Sequence, residues 1–409
     1  MPRGKILIVN YYYPPINNGG IQRTLCFHRY LTRFGYEVSM LTTDSFGTLE
    51  DDEANHVIRF PDRGVDYTRS ENSPRAGVAL FRFWRRFQVE TGLSTDGKKY
   101  WKQQVVKGLD GMMKNRGFDA VIASYPTPVN LELGEIIHRR YGIPLVVDYR
   151  DGLMYDPFPE VADSFFLYKR RLLSLERRLA GEAALQLTVN RDMNDYYTAA
   201  YPQVRSVVIT NGYDDEEPVD GTPLDLPAGI NVLYTGAIGK SRKVYSPGEL
   251  SAILGRLFQV SGKVNFIFVG EYEDSEKALF SRYGNVYVFD KTDRKRIIAT
   301  QRKADALLLI SGPAGGTSGK MYEYMFSGKP ILNIGGHRGV GEIINGKQYG
   351  LTADASEPEQ AEQFIRDLEN GSLHFEKGDL EKYTRRHQCE ELARELDTII
   401  QKEGKRADE

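Results

Sequence analysis

Short apolar runs alternate along the chain with longer stretches in which apolar residues recur at helical spacing. The runs are rich in β-branched residues and predict buried strands: Lys5–Asn10, Phe118–Ser124 and Pro144–Tyr149 in the first half, and Asn231–Thr235, Val264–Gly270 and Asp305–Ile310 in the second. Parallel strands are joined by crossover helices. The alternation therefore predicts parallel sheets with helices on both faces.

One polar stretch, Asp215–Gly229, is rich in Pro, Gly and acidic residues and interrupts this pattern, which then restarts. The chain has 409 residues, enough for two substantial cores. We therefore predict an N-terminal domain over 1–212, a linker over 213–229, a C-terminal domain over 230–380, and a C-terminal helix and tail over 381–409. We also consider that this last helix packs back on the N-terminal domain.

Three turns share the order strand, glycine-containing loop, helix, which is the arrangement that binds phosphate. Backbone N–H groups and the positive end of the helix dipole face the anion, and glycine lets the backbone approach it. The candidate residues are Gly19 and Gly20 in the first turn, Gly236, Arg242 and Lys243 in the second, and Ser318, Gly319 and Lys320 in the third. Glu323 follows the third turn and is placed to accept hydrogen bonds from a ribose. In the alternative interpretation, the glycine loops are ordinary tight turns between a strand and a helix, and Glu323 is a surface residue.

Acidic residues also mark the end of the strand Pro144–Tyr149, which continues into Asp148-Tyr149-Arg150-Asp151. Doubly wound folds place their chemistry at the carboxyl ends of parallel strands. We therefore take Asp148, Arg150 and Asp151 as candidate catalytic residues. The alternative is that both acids cap the next element or pair with Arg150.

The stretch 75–116 differs from its surroundings because ten Lys or Arg residues stand there among Leu, Phe, Trp and Tyr. A basic, aromatic helix can lie on an anionic membrane surface. It can equally bury its aromatic residues and expose its charges. Nucleic-acid binding is disfavoured because the net charge of the whole chain is -2.

The number and spacing of the cysteines bear on the cellular compartment of the protein. Cys26 and Cys389 stand far apart without metal-type spacing, which favours a reducing cytoplasm. No run reaches the roughly 20 apolar residues of a membrane-spanning helix. We therefore expect a cytoplasmic protein whose membrane contact, if made, is peripheral and at the inner face.

Four motifs together resemble the GT-B glycosyltransferases, particularly their large retaining family 4 of the surface-polysaccharide type. They are KILIVNYYYPPINNGGIQRTLCFHRYLTRFGYEVSMLT, VVITNGYD, LYTGAIGKSRK and TSGKMYEYMFSGKPIL. The resemblance covers nearly the whole chain. It implies two Rossmann-like doubly wound domains facing across a cleft. The N-terminal domain would be the acceptor side, and the C-terminal domain would bind a nucleotide sugar.

The resemblance also assigns roles. Lys243 matches the usual diphosphate-binding lysine, and Glu323 matches the second acid of the E-x7-E motif, which holds the ribose. The first acid of that motif is replaced by Gly315, an arginine of the second loop is replaced by Ala237, and DYRDG stands where a histidine is common.

On this basis we expect a metal-independent, hexosyltransferase-type enzyme that acts with retention and needs no cofactor. Its acceptor would be a hydroxyl of a glycan or lipid-linked glycan in cell-surface polysaccharide synthesis. Asp151 is the first choice for the catalytic carboxylate, Asp148 the second, and Arg150 would orient or neutralise. The alternatives are a nucleotide-sugar-binding protein with weak or no transfer activity and a GT-B epimerase.

Overall fold

The structure is a computed structural model that describes residues 2–16, 21–70, 72–114, 116–155, 165–238, 247–311, 319–335, 338–346, 349–354, 357–375 and 379–408. The chain divides into two compact units. Residues 1–210 and 385–409 form the first unit, and residues 211–384 form the second.

The first unit is built on a seven-stranded parallel sheet in the order β3-β2-β1-β4-β5-β6-β7. Its strands are β1 Lys5–Val9, β2 Glu37–Thr43, β3 Val57–Phe60, β4 Ala120–Tyr125, β5 Leu145–Tyr149, β6 Leu185–Thr188 and β7 Ser206–Val208. Its helices are α1 Gln22–Arg33, α2 Arg63–Arg69, α3 Arg75–Glu90, α4 Lys99–Lys114, α5 Pro128–Tyr141, α6 Phe166–Glu182, α7 Arg191–Ala200 and, from the end of the chain, α14 Arg385–Asp408. The strand order reverses between β1 and β4, which is where doubly wound sheets bind ligands.

The two core layers of this unit follow from the two-residue period of the strands. Leu7 and Val9 of β1 face the layer formed with α4, α5 and α6, whereas Ile6 and Ile8 face the layer formed with α1 and α14. All of these strand residues are buried on a sheet covered on both sides. The runs are therefore continuously apolar rather than alternating.

Helix α14 completes the second of those layers. Its Leu392 and Leu396 are buried there beside Phe27 of α1. The hydroxyl of Tyr36 donates to the carbonyl of Ala393 at 2.9 Å. The first unit therefore takes one of its covering helices from the far end of the sequence.

The second unit is built on a six-stranded parallel sheet in the order β10-β9-β8-β11-β12-β13. Its strands are β8 Ile230–Thr235, β9 Val264–Val269, β10 Val286–Phe289, β11 Ala306–Ile310, β12 Ile331–Ile334 and β13 Gly350–Ala353. Its helices are α8 Pro247–Val260, α9 Asp274–Phe280, α10 Arg294–Lys303, α11 Gly319–Ser327, α12 Arg338–Gly346, α13 Pro358–Asn370 and a short 3-10 turn at Glu381–Tyr383. The strand order reverses between β8 and β11, so the ligand-binding edge of this sheet lies at the carboxyl ends of those two strands.

The segment 211–229 belongs to the second unit by its contacts. Tyr213 forms a parallel bridge with Thr384, and its backbone N–H donates to the carbonyl of Tyr383 at 3.1 Å. Leu224 is buried in the layer that contains α11. This part of the polar stretch is therefore packed against its own unit.

The elements that the apolar pattern did not predict include α2, α9 and β13. Each is short, and none has a long periodic run. In the part of the chain that the structure describes, no helix has the length and apolar character that crossing a bilayer requires.

Candidate functional site

The ligand-binding edge of the second unit brings Gly236 and Lys320 together. Gly236 follows β8 with a positive φ of 98°, and Lys320 lies in the first turn of α11, which follows β11. A Cβ atom added at Gly236 would lie 3.0 Å from the Nζ atom of Lys320. Glycine at this position therefore provides both the backbone conformation and the space for the lysine ammonium group.

Lys320 carries its charge without an ion-pair partner among the described residues. Its Nζ atom lies 4.3 Å from the centroid of the Tyr234 ring, within cation–π range. Burial lowers the pKa of Lys320 to about 8, and the more distant Glu323 acts in the opposite direction. An anion that bound here would supply the missing counter-charge, which is what a phosphate-binding lysine requires.

Glu323 lies one turn further along α11, and one of its two carboxylate oxygens accepts a hydrogen bond from Arg294. Arg294 Nη1 donates to Glu323 Oε1 at 2.8 Å, and Arg294 Nη2 donates to Glu217 Oε2 at 2.6 Å. Burial lowers the pKa of Arg294, but the two carboxylates outweigh it and raise that pKa above its usual value. Within the described residues, Glu323 Oε2 accepts no hydrogen bond, so this oxygen can accept one from a ligand hydroxyl.

A narrow pocket surrounds this carboxylate and has an aromatic wall. Tyr213 and Phe326 stack with their ring centroids 4.4 Å apart, and the guanidinium of Arg302 lies 4.8 Å from the Phe326 centroid. These three residues line the pocket with Glu217, Arg294 and Glu323. The pocket therefore places flat aromatic surface beside a hydrogen-bond acceptor.

Sequence reasoning missed Arg294 and Glu217. They are 77 positions apart, and no spacing motif links them. Glu217 lies in the stretch taken for a linker, and Arg294 opens α10 as an ordinary first-turn residue. Only the folded contacts show that they orient Glu323.

In the first unit, Asp148 is an interior residue of β5 and its oxygens are occupied. Arg23 Nε donates to Asp148 Oδ1 at 3.0 Å, and Ser124 Oγ donates to Asp148 Oδ2 at 2.7 Å. The side chains of Arg23 and Asp148 are 1% and 0% exposed. Arg23 Nη1 also donates to the carbonyl of Thr210 at 2.9 Å. Asp148 and Arg23 thus link β4, β5 and α1 to the backbone at Thr210. The ionic partner of Asp148 is Arg23 rather than Arg150. This geometry favours a structural role for Asp148.

Asp151 and Arg150 lie just beyond β5 and pair with each other. Arg150 Nη2 donates to Asp151 Oδ2 at 2.9 Å, and both side chains are about one fifth exposed. The charge of Asp151 adds to the effect of burial in raising the pKa of Tyr125 at the end of β4. Asp151 is therefore partly open to solvent at the carboxyl edge of the sheet, where a ligand can reach it.

The remaining predicted site residues divide into two groups. Gly319 is the first residue of α11, beside Lys320. Five predicted site residues lie outside the described ranges: Gly19, Gly20, Arg242, Lys243 and Ser318. Gly315, which replaces the first acid of the E-x7-E motif, also lies outside them. Across the described ranges, no group of three or more His, Cys, Asp or Glu residues could hold a metal ion. Metal independence stays a prediction.

The basic and aromatic stretch 75–116 separates into two helices with different roles. In α4, Trp101 is 0% exposed and donates its indole N–H to the carbonyl of Thr42 at 3.2 Å. In α3, Leu80 and Phe83 are 68% and 66% exposed, and Trp84 is also exposed. The alternative of buried aromatic residues therefore holds for α4 but not for α3.

Comparisons with known proteins agree with this architecture. Residues 18–212 match the model of a glycosyl transferase 4-like domain. An uncharacterized glycosyltransferase of Methanocaldococcus jannaschii is 24% identical over 207 residues, which are 44% of this chain and 50% of that protein. The chain thus spans about half the length of this curated relative.

Two solved structures share the fold over almost the whole chain. Sucrose-phosphate synthase from Thermosynechococcus elongatus superposes with a TM-score of 0.61 at 13% identity, covering 99% of this chain and 98% of that one. HepE from Anabaena, solved with UDP-glucose, has a TM-score of 0.57 at 15% identity, covering 98% and 100%. The predicted fold class is confirmed: the chain has the two-sheet α/β architecture of the GT-B glycosyltransferases, and its residues 18–212 match a glycosyl transferase 4-like domain.

Proposed function

We propose that the protein is a glycosyltransferase that moves a sugar from a nucleotide-diphosphate donor to a hydroxyl acceptor. The observation that carries the proposal is Lys320, a cation without an ion-pair partner among the described residues, at the ligand-binding edge of the second sheet. The matched glycosyl transferase 4-like domain supports this reaction, as does the likeness to HepE, whose structure contains UDP-glucose.

The donor is recognised by α11 and its neighbours in the second unit. Lys320 and the N-terminal N–H groups of α11, beginning at Gly319, face the diphosphate. Glu323 Oε2 accepts a ribose hydroxyl, while Arg294 holds the other oxygen of the same carboxylate. The wall formed by Tyr213 and Phe326 offers apolar surface beside the nucleoside.

Transfer breaks the bond between the anomeric carbon of the sugar and the diphosphate oxygen, which leaves with the electron pair. The acceptor oxygen bonds to the anomeric carbon, and the proton of the acceptor hydroxyl passes to an oxygen of the departing diphosphate. Charge develops on the leaving diphosphate, so Lys320 and the helix N-terminus lower the barrier by stabilising that charge. Asp151 accepts hydrogen bonding from the acceptor hydroxyl, and Arg150 orients Asp151. We propose retention of configuration and no metal ion.

The acceptor in this proposal is a glycan or lipid-linked glycan used in cell-surface polysaccharide synthesis, with the protein working in the cytoplasm at the membrane surface. The support is helix α3, which exposes Phe83 and Trp84 beside several arginines. Aromatic residues next to cations bind at the headgroup region of an anionic bilayer.

A donor screen tests the function. Nucleotide diphosphate sugars are screened by thermal shift, and the products formed with candidate acceptors are identified by mass spectrometry. We expect one donor to raise the melting temperature and to lose its sugar to an acceptor. Binding without transfer to any acceptor would support a binding protein, and a changed sugar without an acceptor would support an epimerase. If no nucleotide sugar binds by calorimetry across the panel, the proposal fails.

A further inference from the structure

Glu176 of α6 is a buried acid that the proposed reaction does not use, and its residue is 0% exposed. Its Oε1 atom accepts from the hydroxyls of Tyr196 at 3.3 Å and Tyr201 at 2.9 Å. Its Oε2 atom accepts from the hydroxyl of Tyr197 at 3.1 Å and from the backbone N–H of Met154 at 3.0 Å. All of these partners donate, and an ionised carboxylate only accepts. The contacts therefore fit a charged Glu176.

Packing alone does not account for this acid. The α6 residues Leu172, Leu175 and Leu179 fill the same core layer with apolar side chains. Burial raises the pKa of Glu176, and the hydrogen bonds from the tyrosine hydroxyls and from Met154 oppose that effect. A leucine would avoid the cost of removing a charge from water. We therefore looked for what the carboxylate holds in place.

Two hydrogen bonds of this network end on the loop that follows β5. The N–H of Leu153 donates to the hydroxyl of Tyr197 at 3.2 Å, and the N–H of the next residue, Met154, donates to Glu176 directly. Because the Tyr197 hydroxyl accepts from Leu153, its own proton is donated to Glu176. The ring of Tyr197 also stacks on Tyr149, the last residue of β5, with centroids 4.3 Å apart. Glu176 thus holds two consecutive backbone donors of the loop, one directly and one through Tyr197.

The same loop carries Asp151, two residues before Leu153. Leu153 is itself buried in the core layer of the first unit. A Cβ atom at Gly152 would clash with the carbonyl oxygen of Tyr155, so the loop folds closely upon itself there. Asp151 is therefore separated from an anchored residue by a single glycine in a tight turn, and its position follows that of the anchor.

We propose that Glu176 and Tyr197 are positioning residues, which hold the loop after β5 and thereby set the place of Asp151 at the carboxyl edge of the sheet. Their role rests on the proposed function, in which Asp151 accepts hydrogen bonding from the acceptor hydroxyl. Both side chains are fully buried, so they act through the loop and not by contact with a substrate. A reacting group that is misplaced by about 1 Å can cost roughly a hundredfold in rate.

Y197F and Y201F form a matched pair of variants. Each removes one buried hydroxyl that donates to Glu176, but only the Tyr197 hydroxyl also accepts from the loop. The midpoints of urea unfolding should therefore fall to a similar extent in both. Hydrogen exchange of the peptide spanning 150–155, measured by mass spectrometry on the full chain without ligand, should rise at least about tenfold in Y197F and less than about twofold in Y201F.

The kinetic measurements use the donor and acceptor identified in the screen. Y197F should lower kcat about ten- to hundredfold and change the KM for the donor less than about twofold, because the donor is bound by the second unit. Y201F should keep kcat within about twofold of the wild type.

Two variants of the acid itself extend the comparison. E176Q replaces an accepting oxygen by a donating amide, so at least one partner loses its acceptor, and kcat should fall at least as far as in Y197F. E176D keeps the charge and should retain more activity than E176Q. If E176Q does not fold, the comparison of Y197F with Y201F decides alone.

Three results would overturn the positioning role. They are wild-type exchange of the loop in Y197F, faster exchange with an unchanged kcat, and a kcat that falls equally in Y197F and Y201F. The last would reduce the network to a contribution to stability. If the wild type transfers no sugar to any acceptor, the proposed function fails, whereas the exchange comparison still decides whether Glu176 and Tyr197 hold the loop.

Discussion

Arg23 in the first unit and Lys320 in the second both lie near the ligand-binding edge of their sheets, and their charges are balanced in opposite ways. In the first unit, Arg23 is fully buried and its charge is matched by Asp148. In the second unit, Lys320 has an aromatic ring beside it and no carboxylate paired with it in the described structure. A matched charge fixes an architecture, whereas an unmatched one costs stability and suggests that a ligand completes the site. Exposure separates Asp148 from Asp151 as candidates for the chemistry, because the side chain of Asp148 is 0% exposed and that of Asp151 is 20% exposed.

The largest effect should follow from breaking the matched pair. In D148N the buried Arg23 loses its counter-charge, and we expect the free energy of unfolding of the first unit to fall by about 3–5 kcal/mol. Both tryptophans of the chain, Trp84 and Trp101, lie in this unit, so tryptophan fluorescence in a urea titration reports its unfolding. D151N is the matched control and should unfold near the wild-type midpoint. Equal midpoints for D148N and wild type would show that the pair is not structural.

Removing the unmatched cation should affect binding instead of folding. K320M loses a charge-assisted contact to the diphosphate, which is worth about 1.5–3 kcal/mol, or roughly 10- to 150-fold in donor affinity. Its thermal stability should be unchanged or higher because a partly buried charge has been removed. K320R should keep more of the affinity. Calorimetry with the donor found in the screen measures the loss, and a K320M affinity within twofold of the wild type would remove Lys320 from the site.

The pKa of Lys320 predicts the pH dependence of that binding. The diphosphate needs the protonated lysine, and the free protein loses this proton as the pH rises through about 8. A bound dianion raises the pKa, so donor affinity should be flat below pH 8 and fall by about tenfold for each pH unit above it. In K320R the cation stays charged, and the affinity should be flat to pH 9.5. A wild-type profile as flat as that of K320R would contradict the assignment.

Glu323 should give the smallest effect and the most selective one. Replacing it in E323Q weakens a single hydrogen bond to a ribose hydroxyl, so we expect a loss of about 1 kcal/mol, or roughly fivefold, with UDP. The loss should be absent with a nucleotide that lacks the ribose hydroxyls. Because Arg294 orients Glu323, R294Q should shift the same ratio in the same direction. An equal loss for both nucleotides would place Glu323 away from the ribose.

The sequence predicts the parts of this molecule that depend on neighbours along the chain. The strand 306–310 is a run of five apolar residues, and the carboxyl-edge position of Asp151 follows from the strand before it. Arg23 and Asp148 are 125 positions apart, and Arg294 and Glu323 are 29 apart, so neither pair leaves a local signal. Their partners are set by which strands become neighbours in the sheet, which no single segment encodes.

The aromatic residues of 75–116 illustrate the same limit. Trp84 and Trp101 stand in similar basic, helical surroundings, yet one is exposed and the other is buried against the sheet. Composition alone could not separate them because burial depends on which helix face meets β2 and α5. The predicted membrane contact is therefore restricted to α3, which exposes Phe83 and Trp84, and to the start of α6, where Phe165 and Phe166 are exposed.

The return of α14 to the first unit also constrains how the protein is made. The ends of the second unit meet at the bridge between Tyr213 and Thr384, so this unit is a contiguous insert whose entry and exit lie side by side. During translation, residues 211–384 leave the ribosome before the helix that covers Phe27 and its neighbours has been synthesised. The inserted unit can therefore finish folding first, while the part of the first sheet's layer that α14 covers is still exposed to chaperones and to aggregation.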